Sequence, residues 1–295
     1  VNIVNVALVL LPSFGTNNDF FIPPLGLAYL KGYLKKSHPQ LKVDIIDGRC
    51  WPQGQNYLSH ITTQRPAGEL FVSEIQDLPL IVEIIHRFIH KATPKEFLDI
   101  PVENESFIQF SIASGLAPNV LMNELKCIHS LASRYASKLT SYDLVGFSVF
   151  NSNLYSSILF ASIIKRINPE IKVIFGGPQV TQSRVTSDIL ISSNIVDYII
   201  PGVGEKKLAY LVNLLLDGVN PCGKIITEEF DDGVTHAIPD YESLPLDKYD
   251  PFQFPIMASR GCVASCVYCS EHHLFGKLAY KSPLEALVPH KHRDI

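Results

Sequence analysis

Residues 3–11 read IVNVALVLL and residues 25–36 read LGLAYLKGYLKK, with LKVDIIDG following at 41–48. The first run is almost wholly apolar, the mark of a strand covered on both faces. The second has helical spacing, with Leu27, Leu30 and Leu34 on one side and Lys35 and Lys36 near its end. The third is a strand that stops at Asp47-Gly48. Strand, helix, strand makes a βαβ unit, which implies a right-handed crossover and a parallel pair.

The same alternation resumes at Asp143. YDLVGFSVF (142–150) is a strand, and NSNLYSSILFASIIKRINP (151–169) runs helical up to Asn168-Pro169. IKVIFGG (171–177) is a strand, VTSDILISS (185–193) a helix, VDYIIPGVG (196–204) a strand, and EKKLAYLVNLLLDG (205–218) a helix closed by Gly218. The expected fold is α/β, a doubly wound parallel sheet of five strands. Residues 51–142 interrupt it and read as a mostly helical insertion, with helical stretches at 69–92 and 119–139. Residues 224–248 read as a hairpin around Asp232-Gly233 and then a proline-rich linker, with a domain boundary near Tyr249. The expected division is therefore 1–248 and 249–295.

Composition narrows the class. The chain has 295 residues, 46% hydrophobic and 18% charged, enough for a large core. A net charge of −4 gives no sign of a nucleic-acid surface. No apolar run reaches the roughly 18 residues of a membrane span. The N-terminal residues lack the pattern of a signal peptide and read as a strand. Six cysteines in this length are too few for a disulfide framework, so a reducing, cytoplasmic setting is expected.

Ligands of an open parallel sheet bind beyond the C-terminal ends of its strands. Those ends are rich in glycine: Pro24 and Gly26 after strand one, Gly146 and Ser148 on strand three, Gly176, Gly177, Pro178 and Gln179 after strand four, Gly202, Gly204 and Glu205 after strand five. Each loop alone reads equally as an ordinary tight turn. Together they suggest a large flat or polyphosphate-like ligand. The phosphate-binding fingerprints G-x-G-x-x-G, after strand one, and G-x4-G-K-[ST], anywhere, are absent, which disfavours nicotinamide and ATP.

SRGCVASCVYCSEHHLFGK (259–277) places Cys262, Cys266 and Cys269 within eight residues, spaced C-x3-C-x2-C. A disulfide needs two thiols and a structural zinc site usually four ligands. Three thiolates suit a [4Fe–4S] cluster whose fourth iron stays open to a substrate or cofactor. Gly261 eases the tight approach, and Tyr268 stands where it can shield a cluster face or touch a bound cofactor. Zinc with His272 or His273 as fourth ligand is the alternative. Cys50, Cys127 and Cys222 are scattered and read as packing or incidental. His86 and His90 lie four apart without the glutamate of a metalloprotease helix. Glu271 is a weak candidate for a cofactor amine contact.

C-x3-C-x2-C with an aromatic residue before the third cysteine resembles the cluster loop of radical S-adenosylmethionine (radical SAM) enzymes. PPLGLAYLKGYLKK, DLVGFSVFNSN, INPEIKVIFGGPQVT and VDYIIPGVGE, in that order, resemble the cobalamin (B12)-binding domain of that family's B12-dependent branch, and ESLPLDKYD resembles its linker. The resemblance covers most of the chain outside 51–142, where GELF (68–71) resembles enzymes that modify ribosomally made peptides. It implies a Rossmann-like B12-binding domain followed by the first strand, loop and helix of a (β/α) barrel. It also implies a [4Fe–4S] cluster on Cys262, Cys266 and Cys269, cobalamin at the glycine rim, and S-adenosylmethionine near Tyr268. The implied reaction is reductive cleavage of S-adenosylmethionine to modify an unactivated carbon, by methyl transfer, on a small molecule or a peptide. A flavodoxin or ferredoxin would supply electrons. The catalytic residues and the substrate are not implied.

This sequence departs from the family in three places. Val203 stands where an acidic residue is common, and Gln179 near a common histidine. No D-x-H-x-x-G is present, so a cobalt ligand from that motif is not expected. Only 26 residues follow Cys269, fewer than a barrel needs. The chain is expected to be the front of an enzyme, inefficient with S-adenosylmethionine by itself, with an unpaired strand at 255–259. The alternatives are a corrinoid-binding module without catalysis, and a Rossmann-like domain with a zinc knuckle.

Overall fold

The computed structural model describes residues 3–12, 21–51, 108, 117–228, 230, 237–250, 253–264, 266–270, 274–283 and 286. Five strands form one parallel sheet: β1 (Asn5–Leu10), β2 (Lys42–Asp47), β3 (Leu144–Ser148), β4 (Lys172–Gly176) and β5 (Tyr198–Ile200), in the order β2-β1-β3-β4-β5. The register runs straight across, Val6 beside Val43 and Leu144, and Phe147 beside Phe175. Strand order turns back at β1, so the crevice of a doubly wound sheet opens between β1 and β3.

Helices cover both faces. On one lie α1 (Leu25–Ser37) and α6 (Glu205–Leu216), packed against each other. On the other lie α2 (Pro118–Leu139) and α3 (Leu154–Ile167), with α5 (Arg184–Ser192) beside them after the short α4 (Pro178–Gln182). Strand periodicity feeds two separate cores. Val145, Phe147, Val173 and Phe175 point toward α2 and α3, while Leu8, Leu144, Ile174 and Ile200 point toward α1 and α6.

The five strands and the helices at 185–193 and 205–218 stand where the sequence places them. Of the 51–142 insertion, the second helical stretch is α2. The first, at 69–92, lies outside the described residues, as do His86, His90, the Asp232-Gly233 turn and Glu271 to His273. The stretch read as a linker packs closely. Ile226, Tyr241, Leu244 and Tyr249 join the core under α1 and α6, and Asp240 N–H donates to the Ala28 carbonyl. Of the unpaired strand expected at 255–259 only Ser259 lies in a strand, the two-residue β6 (Ser259–Arg260), and it is paired antiparallel with β7 (Ala279–Tyr280). The missing partner in the sequence reading was the segment beyond the cysteines, which folds straight back. No strand of a (β/α) barrel is shown among the described residues.

Candidate functional site

Period-two alternation decides where the sheet is hollow. At the C-terminal ends of β3 and β4, the residues facing α1 and α6 are Gly146, Ser148 and Gly176. Their neighbours facing the other way are Phe147, Val149 and Phe175. With almost no side chains on that side, the sheet and the two helices enclose a cavity of about 250 Å³. Leu8, Leu27, Leu30, Ile174, Ile200 and Leu208 give it apolar walls. Phe275 and Arg260 close it from the cysteine segment.

Nine of the eleven rim residues singled out in the sequence line this cavity: Gly26, Gly146, Ser148, Gly176, Gly177, Pro178, Gly202, Gly204 and Glu205. Pro24 and Gln179 do not. Pro24 instead accepts the Ala28 N–H at the start of α1, and Gln179 N–H donates to the Val149 carbonyl. The glycines serve different ends. Gly177 has φ of +103°, and a Cβ there would lie 2.8 Å from the Val149 carbonyl oxygen, so only glycine fits this turn. Gly26 is the contrary case: a Cβ built on it meets nothing within 4 Å, and the space it leaves belongs to the cavity. The Gly202 N–H donates to Thr181 Oγ1 at 2.8 Å, which fixes the loop after β5.

One charged pair stands in the cavity wall. Glu205, in the first turn of α6, is 4% exposed, and its carboxylate takes Arg260 Nη2 at 2.6 Å. Tyr29, buried on α1, has its pKa raised by burial, with Arg260 lowering it and Glu205 raising it. Lys281 Nζ donates to the Tyr29 hydroxyl at 3.0 Å and lies 4.5 Å from the ring centre.

Cys262, Cys266 and Cys269 are free thiols on the segment that follows Arg260. Cys269 N–H donates to the Cys266 carbonyl at 3.0 Å, a turn that puts both on one bend. Ala264 N–H donates to the Cys262 sulfur at 3.4 Å. Cys269 is exposed and the other two half-exposed. As a donor set they suit a thiophilic centre: free, reachable and on one loop. They are not gathered, since no three His, Cys, Asp or Glu side chains converge to metal-holding range among the described residues. Tyr268 is 88% exposed and stands away from the cavity.

Sequence reasoning missed Arg260, Phe275, Tyr29 and Lys281. Arg260 carried a usable signal, a cation inside a short strand directly before Gly261-Cys262. Val203, noted in the sequence as a departure, is one of the lining residues. No helix among the described residues is long and apolar enough to cross a membrane.

No protein-family model matches the chain. Over 153 residues it is 31% identical to an uncharacterized methyltransferase of Pyrococcus horikoshii. The match covers 46% of this chain and 33% of the relative, so the chain spans about a third of the length of that protein.

Proposed function

We propose that this chain carries the cofactor-holding part of a cobalamin-dependent radical SAM methyltransferase. The observation that carries the reading is the cavity: an apolar chamber at the strand ends, edged by glycines and closed by the segment that bears three thiols. The likeness to an uncharacterized methyltransferase supports the methyl-transfer half of the proposal. The cysteine spacing supports the iron–sulfur half.

Gly26, Gly146, Gly176 and Gly204 would leave room for the edge or tail of a corrinoid, and Ser148 would offer it a hydroxyl. Cys262, Cys266 and Cys269 would hold a [4Fe–4S] cluster, and S-adenosylmethionine would sit at its open iron. When bound, these groups supply a methyl carrier and the electron that cleaves S-adenosylmethionine. The chain's own part is to exclude water and to orient. The leucines and isoleucines of the wall would disfavour water beside a bound group. Glu205 neutralises Arg260, so no unpaired charge faces the chamber. Among the described residues none that lines the cavity is a histidine, which fits a corrinoid held without an imidazole from this wall. A small molecule or peptide would be the methyl acceptor, and a flavodoxin or ferredoxin the electron donor.

A second reading keeps the corrinoid and drops the cluster. It is favoured by the three thiols not being gathered. Anaerobic reconstitution with iron and sulfide separates the two. The first reading expects about four irons per chain, lost on replacing any of the three cysteines by alanine. Iron binding that all three single variants retain would leave only the second. Cobalamin titration tests what they share. Gly26→Leu adds a side chain whose Cβ meets no protein atom within 4 Å, so the fold should stand while affinity falls about tenfold or more. Unchanged affinity would remove cobalamin from this cavity.

A further inference from the structure

The three thiols sit on a hairpin-like segment with little core of its own: Val263, Val267 and Tyr268 are each more than four-fifths exposed. Such a segment needs something else to fix it against the sheet domain. The segment carries two cations with little exposure, Arg260 on β6 and Lys281 just after β7, and each is taken by a different helix. From β6, Arg260 forks onto Glu205 of α6, with Nη2 to Oε1 at 2.6 Å and Nη1 to Oε2 at 3.4 Å. Next to β7, Lys281 reaches Tyr29 of α1, both by hydrogen bond and over the ring. Arg260, Glu205, Lys281 and Tyr29 are all largely removed from water.

We infer that the Arg260–Glu205 and Lys281–Tyr29 pairs are a two-point latch that positions the cysteine segment over the glycine-edged cavity. The cation–anion fork gives direction as well as attraction, because both guanidinium nitrogens must face both oxygens. The strands between the two bolts are tied to each other. Lys281 N–H donates to the Ala258 carbonyl, Ser259 and Arg260 pair with Tyr280 and Ala279, and Cys262 N–H donates to the Gly276 carbonyl. The first thiol follows the first bolt closely. Cys262 lies two positions beyond Arg260, at most about 7 Å of chain. Between them Gly261 has φ of +83°, and a Cβ there would stand 2.5 Å from the Lys277 carbonyl oxygen, so the path from bolt to thiol has little freedom. Arg260 is a positioning residue that acts through Glu205. The cavity and the thiols are those of the proposed function, but the test needs no cofactor.

The experiment uses the full chain without added metal or corrinoid, comparing wild type with Glu205→Gln, Arg260→Glu, Lys281→Met and the double swap Glu205→Arg/Arg260→Glu. Amide hydrogen exchange is followed by peptide, and alkylation by iodoacetamide is followed at each cysteine. Exposed Cys222, which stands outside the segment, is the internal reference. Each single variant is expected to speed exchange in peptides covering 258–262 and 277–281 about tenfold while β1, β3 and β4 keep their protection. Alkylation of Cys262 should rise relative to Cys222, and the swap should return both readouts to near the wild-type rates. Exchange that stays at the wild-type rate in Glu205→Gln and Arg260→Glu would overturn the latch. So would loss of protection spread over the whole sheet, or a swap that restores nothing. Failure to bind cobalamin would leave these results intact and count only against the proposed function.

Discussion

The two faces of the sheet are made from the same strands and end differently. On the α2–α3 side, β3 and β4 finish in Phe147, Val149 and Phe175, which bury completely or nearly so, with the two phenyl rings edge to face at 5.5 Å. On the α1–α6 side they finish in Gly146, Ser148 and Gly176, beside the cavity. Both faces have a buried core, but one is solid to the strand ends and the other leaves a hollow there, the candidate site. The difference lies in a single register of alternation, so the two faces should answer mutation in opposite ways. Phe175→Ala is the strongest probe of the solid face. It removes a ring with no exposed surface from a packed core and should cost about 3–5 kcal/mol, read as a fall in the urea midpoint. A cost below about 1 kcal/mol would show that this face is not packed as it looks.

That division explains what the sequence makes legible. A run such as IVNVALVLL announces a strand covered on both faces, because burial on both sides leaves no polar alternate. The glycines at strand ends were equally visible. Their roles were not, because Gly177 is required by its own turn whereas Gly26 faces open space, and only the neighbouring atoms tell them apart. Gly32 is a further case. It sits inside α1, and any Cβ there would run into the Ile238 carbonyl. Its presence in the sequence could mark a close approach, but not by which segment. Contacts made across some 200 residues of chain, such as Lys35 to Asp240, leave no local pattern. For the same reason Arg260 and Glu205 are visible as residues and invisible as a pair.

The hollow face is clamped by polar groups where the solid face is clamped by rings. Asp47 is wholly buried at its side chain, taken by Arg49 Nη2 at 2.6 Å and by the Tyr249 hydroxyl at 2.8 Å. Burial, then the neighbouring Asp47 charge, pushes the Tyr249 pKa up, so the hydroxyl keeps its proton and keeps donating. Tyr249→Phe should retain the stack on Phe21, whose ring lies 4.9 Å away, and lose the hydroxyl's bonds to Asp47 and Cys50. The expected cost is about 1.5–3 kcal/mol, smaller than that of Phe175→Ala. A cost equal to or above it would make the clamp, rather than the aromatic core, the main source of stability.

A smaller difference between the faces follows from pH. Tyr142 packs against the solid-face core, and its hydroxyl donates to Asp44 at 3.0 Å. Burial, then the hydrogen bond to Asp44, pushes its pKa up to about 12. A folded value above the unfolded one of about 10 means that the folded state holds this proton more tightly. The contribution is complete below pH of about 10 and disappears as pH rises through 12. Tyr142→Phe should therefore be less stable than wild type at pH 8, with a narrower gap at pH 11.5, measured by urea midpoints at the two values. A gap that stays constant would show that the hydroxyl is not titrating against Asp44.

Gly146→Ala should have the smallest effect on stability and tests the hollow directly. Gly146 lies in the middle of β3, outside the left-handed region that demands glycine. A Cβ there would meet Leu8 Cδ2 at 3.5 Å and the Ala7 carbonyl at 3.9 Å, both ordinary van der Waals distances. Nothing must move to admit the methyl group. Restricting the unfolded chain favours alanine by about 0.4–1 kcal/mol at a compatible position, so the variant should match or slightly exceed wild type in urea. Its cost should appear in binding, because the methyl group takes space from the cavity floor. Cobalamin affinity measured by titration should fall while the urea midpoint holds. A loss of stability above about 2 kcal/mol would mean that the space beside β3 is filled by tight packing. Unchanged affinity with unchanged stability would mean that the ligand stays at the rim near Gly26 and Gly204 and does not reach the floor between β1 and β3.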